Sequence, residues 1–157
     1  MFSFGAMSTS ADRPESSLSR EQIAAGVAER LKKYESLSFL ESFAMFMGVA
    51  QILEIGLKGL LHKRFGFDIQ RMERWTLGRT ATTLKERGLR SDFIQLLESV
   101  VDYRNYIAHE LLANEAILRS LLSGESGRFE IRQLEKGTYE LEQLMFLYDW
   151  TEEHRGW

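Results

Sequence analysis

Proline occurs once in the 157 residues, at position 14, so nothing from residue 15 onward forbids a helix. A proline inside a helix removes a backbone donor, clashes with the preceding turn and costs about 3 kcal/mol. A chain free of it over such a length can run long helices one after another. Its apolar residues are spaced to use them, as at Ile23, Val27 and Leu31, which recur at four-residue steps. Hydrophobic residues make up 44% and charged residues 27%, the balance of a soluble globular domain rather than of a disordered chain. No segment alternates long enough to read as a sheet. The expected fold is all-α, a bundle of four to five mainly antiparallel helices.

Helix starts are written into the sequence. Ser19 with Gln22 and Ser38 with Glu41 have capping-box spacing. The second box opens a long helix to about Arg64, whose stripe includes Phe39, Phe43, Phe46, Ala50, Leu53, Leu57 and Leu61. Leu40, Met45, Val49 and Ile52 lie off that stripe, which predicts burial on more than one side, and Gly48, Gly56 and Gly59 suggest close approach of a neighbour. Phe65 to Asp68 reads as a turn before a short helix. Thr76 then caps a helix from Leu77 to Arg87, with Gly88 as its stop. Ser91 or Asp92 opens the next helix, at least to Ala108. A further run from Leu111 to Leu122 ends in the Ser/Gly-rich loop 123–127, and a last helix spans about Arg132 to Glu153.

Residues 1–17 are rich in Ser, Gly and other small residues, lack the basic start and apolar run of a secretory signal, and offer Met1 or Met7 as the start. They are expected to form a flexible tail on a single domain, 18–157. The uncharged stretch from Ser42 to Leu53 is twelve residues, short of the roughly 20 that a spanning helix needs. The expectation is a soluble, cytoplasmic protein without a membrane partner.

Chemistry narrows quickly. With no cysteine, disulfide scaffolds, zinc ribbons, iron–sulfur clusters and thiol nucleophiles are all excluded. His109-Glu110-Leu111-Leu112-Ala113 begins like a zinc-protease helix but has Ala113 where the second His must stand. His62 and His154 stand alone. No phosphate-binding Gly-rich loop and no Gly-x-Ser-x-Gly elbow occurs, so no cofactor and no metal is expected. The net charge of −3 argues against a wholly basic nucleic-acid coat, yet Lys58 to Arg90 holds nine Lys or Arg against three acids. That local net of +6 on a remainder of −9 is either a solvated helix face or a patch that tracks phosphates.

One segment keeps chemical interest. The apolar ladder Phe93, Leu97, Val100, Ile107, Leu111 is completed at the missing step by Arg104. A guanidinium there either reaches out to water or needs a carboxylate, a second chain or an anionic ligand. Glu98, Asp102, Asn105 and His109 form a second, polar stripe, in which Asn105 or Asp102 could orient His109 as a general base. Arg104 and His109, five residues apart, sit about 140° apart on an ideal helix. They meet on one phosphate only if the helix ends, bends or meets its copy across a two-fold axis. Tyr103 and Tyr106 beside them could stack on bases or pack an interface.

Arg104-Asn105-Tyr106-Ile107-Ala108-His109 resembles the signature of the HEPN domain superfamily: an Arg, often a polar residue directly after it, a short spacer and a His. Thr76-Leu77-Gly78, Leu84 and Leu97 upstream are similar to a group of bacterial HEPN-like proteins. The resemblance covers residues 76–112 by motif and the rest by helical architecture only. It implies a bundle that dimerises through its motif helices. It also implies a metal-independent endoribonuclease, often a toxin or antiphage effector paired with a nucleotidyltransferase-like antitoxin. RNA would be the substrate, cut by its own 2′-hydroxyl, with Arg104, His109 and Asn105 as the site residues. Other members have lost activity and serve as binding modules. That reading stays open, as does a plain helical adaptor carrying the motif by chance.

Overall fold

The structure is a computed structural model and describes residues 18–114, 116 and 128–157. All regular elements among the described residues are helical. They are α1 (Arg20–Leu31) with a 3-10 turn at Lys32–Tyr34, α2 (Phe39–Phe65), α3 (Ile69–Met72), α4 (Leu77–Glu86), α5 (Ser91–Tyr106) and α6 (Arg128–His154). Between α5 and α6 a π turn covers Ile107–Leu111.

Local chemistry sets the boundaries. Ser19 Oγ accepts from the Gln22 N–H at 3.1 Å while Gln22 Oε1 accepts from the Ser19 N–H at 2.9 Å, a complete capping box repeated by Ser38 and Glu41. Gly66 ends α2 in the left-handed region (φ 72°), which only glycine enters without strain. There its N–H reaches the His62 carbonyl at 3.1 Å and the Phe67 N–H reaches that of Leu61 at 3.3 Å. Asp68 and Thr76 cap α3 and α4.

Helix α6 is the hub, packed on α1, α2 and α5, and α4 lies across α2 and α5. Phe46, Leu53, Leu57 and Leu61 of α2 bury fully against Leu77 and Leu84 of α4, Leu97 and Val100 of α5, and Leu141 and Leu144 of α6. The all-α expectation holds. At the far end of the chain, Trp157 closes the bundle edge-on against Phe93, with ring centroids 4.8 Å apart.

Several details differ from expectation. Val49 is buried, but Leu40, Ile52 and Ile55 are 61–64% exposed, so α2 is covered on one side only. Helices α3, α4 and α6 all approach that one side, and the second apolar face meets no element among the described residues. By length and composition alone α2 would suffice to cross a membrane. Of its glycines only Gly56 marks a close approach, where an added Cβ would lie 3.0 Å from the Tyr148 hydroxyl; Gly48 and Gly59 face open space. Helix α6 is already helical at Arg128, the first described residue after 127 and four residues ahead of the expected Arg132. The expected tail 1–17 and loop 123–127, with most of the run from Leu111 to Leu122, lie outside the described residues.

Candidate active site at the end of helix α5

The apolar ladder of α5 is buried as read: Phe93, Leu97, Val100, Ile107 and Leu111 are at most 2% exposed. Opposite its last turns stands Gly137 of α6. A Cβ on Gly137 would lie 2.9 Å from Ile107 Cδ1 and 3.3 Å from Tyr103 Cβ, so the bare backbone lets α6 cross α5 directly beneath the motif.

Arg104 fills the missing ladder step and is half-buried. Its Nη1 donates to Asn105 Oδ1 at 3.5 Å, a long contact, and among the described residues no carboxylate stands within 4.0 Å of it. Its charge therefore has no ion-pair partner there. Glu98, Asp102, Asn105 and His109 are all exposed, which makes the polar stripe real. The orientation of His109 expected from that stripe is not formed: among the described residues no hydrogen bond joins it to Asn105 or Asp102. Asn105 turns to Arg104 instead, and Glu98 is taken by Lys85 at 2.7 Å.

The backbone also departs from an α-helix here. Residues 107–111 form a π turn, in which each residue advances less around the axis than in an α-helix. The offset of His109 from Arg104 therefore falls below the ~140° of an ideal helix. Such turns occur preferentially at functional sites. The sequence carries no mark of it, because Val100, Ile107 and Leu111 keep helical spacing on either side.

Tyr103 packs against Gly137, and the Tyr106 hydroxyl is buried without a hydrogen-bond partner among the described residues. Both tyrosines belong to the packing of the motif helix rather than to an open stacking surface. Four hollows of about 570, 540, 500 and 360 Å³ open on the described surface, and none is lined by Arg104, Asn105 or His109.

One charged centre was missed by sequence reasoning. Glu142 of α6 is fully buried and receives Arg30 Nε at 2.8 Å, Lys33 Nζ at 2.6 Å and the Tyr34 hydroxyl at 2.7 Å. This cluster fastens α1 to α6. Burial, then the hydrogen bond to Glu142, raises the Tyr34 pKa well above the ordinary value of a phenol. Its partners lie more than a hundred residues apart in the chain, so no local pattern announces it.

No family model, curated protein or solved structure matches this chain. The site is read from its own residues.

Proposed function

We propose that this protein is a HEPN-type endoribonuclease that works without a metal as a cytoplasmic homodimer, its composite sites built from Arg104, Asn105 and His109 of both chains. The observation that carries the reading is the half-buried Arg104, without an ion-pair partner among the described residues, on the same helix end as an exposed His109. A cation held there is suited to an anion that arrives later. In RNA cleavage the 2′-hydroxyl loses its proton and attacks the neighbouring phosphorus, and the bond to the 5′-oxygen breaks with return of a proton. His109 from one chain or the other serves as base and acid. Arg104 stabilises the added charge on the pentacoordinate phosphate, and Asn105 holds the guanidinium.

An exposed His109 is poorly placed for reaction while open to water, and a second copy laid across it would shield it. The same resemblance implies a toxin or antiphage effector with a nucleotidyltransferase-like antitoxin as partner. The test is cleavage of total cellular RNA by purified protein in EDTA. His109→Ala is expected to lower the rate at least ~100-fold with the fold intact. Equal cleavage by wild type and variant sinks the proposal.

The unoriented His109 and the exposed apolar face of α2 favour a second reading, a non-catalytic HEPN-like dimer that binds or regulates a partner. A dimer without nuclease activity, dissociated by Arg104→Ala, would select it.

A further inference from the structure

The basic segment 58–90 sets exposed cations among aromatic rings. Three of its nine cations are paired, Lys58 with Glu54, Lys85 with Glu98 and Arg90 with Asp92. The other six, Lys63, Arg64, Arg71, Arg74, Arg79 and Arg87, are exposed and have no carboxylate within 4.0 Å among the described residues. Aromatic rings stand among them in a fixed order. The Arg79 guanidinium lies over the Trp75 ring at 4.4 Å, Trp75 meets Phe67 edge-on with centroids 6.0 Å apart, and the Arg87 guanidinium lies over Phe67 at 4.9 Å. Hollows of about 500 and 360 Å³ flank this row and share Phe67, Trp75 and Arg87 as walls.

The row is held from below. The Gly66 turn fixes Phe67, whose carbonyl also accepts from His62 Nδ1 at 2.7 Å. The Trp75 N–H reaches the Met72 carbonyl at 2.9 Å, and fully buried Met72 pins the intervening loop to the core. A preformed surface of this kind loses little entropy on binding. Two carboxylates, Asp68 and Glu86, also line the hollows, and Asp68 is engaged in capping α3.

We propose that this face is a docking platform for single-stranded nucleic acid. Bases stack on the Arg79–Trp75 and Phe67–Arg87 pairs, and Lys63, Arg64, Arg71 and Arg74 receive the phosphates. Alternating aromatic planes and unpaired guanidiniums fit a chain that alternates bases and phosphates, whereas an acidic peptide offers carboxylates but no planes to stack. The platform adjoins the candidate site: a Cβ on Gly78 in the first turn of α4 would lie 3.4 Å from Val101 Cγ1, one turn before Asn105 on α5. This inference deepens the RNA reading by naming the surface that holds the strand, but it does not depend on cleavage.

The test is fluorescence anisotropy of a labelled single-stranded RNA oligonucleotide with the full chain carrying His109→Ala, so that nothing is cut. Arg79→Glu with Arg87→Glu is expected to weaken binding at least tenfold, since it removes both guanidinium planes from the stacking row. Trp75→Ala is expected to weaken it about tenfold, and the exposed arginine pair carries the test should that variant fold poorly. Arg132→Glu with Lys136→Glu, the same charge change on the exposed face of α6, is expected to leave affinity within about twofold. Single-stranded DNA that binds equally supports the shared chemistry. Equal losses in both charge pairs, no loss in either, or tighter binding of duplex RNA or of a polyglutamate peptide overturns the platform. A wild-type chain that binds RNA without cutting it sinks the nuclease and spares the platform. Cleavage with normal binding by the Arg79→Glu, Arg87→Glu variant does the reverse.

Discussion

Arg104 and Glu142 handle the same physical problem in opposite ways. Glu142 is a carboxylate in the core whose charge is met by two cations and a hydroxyl. Arg104 is a cation at the core's edge with, among the described residues, only an amide oxygen at 3.5 Å. The two should respond differently to substitution. Arg30→Met leaves a buried carboxylate short of a partner and is expected to cost about 1–3 kcal/mol in urea unfolding. Arg104→Ala is expected to change stability by no more than about 0.5 kcal/mol while lowering RNA cleavage at least ~100-fold. A matched loss of stability would mean that Arg104 holds the fold instead.

Tyr34 adds a pH test of the same cluster. Its folded pKa is raised, so its hydroxyl contributes stability fully below the unfolded value near 10, and that contribution is lost as pH rises beyond it. Tyr34→Phe is expected to lose about 1.5 kcal/mol at neutral pH and to show a shallower decline above pH ~10 in thermal unfolding. The sequence made Arg104 visible because its ladder is local, and it hid Glu142 because every partner comes from a distant helix.

At the scale of the element, the α5–α6 crossing rests on one missing side chain. Gly137→Ala would press a methyl group to 2.9 Å from Ile107 Cδ1, and overpacking of that kind costs about 1–3 kcal/mol. The loss should appear in thermal unfolding, together with a fall in cleavage, since Tyr103 and Ile107 flank Arg104. Helix beginnings and ends were legible at Ser19, Ser38, Gly66, Thr76 and Gly88, where two or three neighbouring residues decide the backbone. The π turn was not. A period of three and four residues continues through it.

For the whole molecule, the least legible property was which side of α2 would be covered. An apolar sequence states that a helix can be buried but not from how many directions its neighbours arrive. Ile52→Lys, at a position the sequence counts toward a second buried face, and Ile55→Lys are therefore expected to leave the unfolding free energy within about 0.5 kcal/mol each. A loss of several kcal/mol in either would show that the face is occupied in solution.

The six cations of residues 58–90, unpaired among the described residues, have a consequence in time rather than in energy. On the platform reading, a segment of +6 in a chain whose remainder carries −9 would turn toward a polyanion before the two touch. Encounters would be biased toward the basic side and slowed at the acidic one, and added salt would erase that bias first in the association rate.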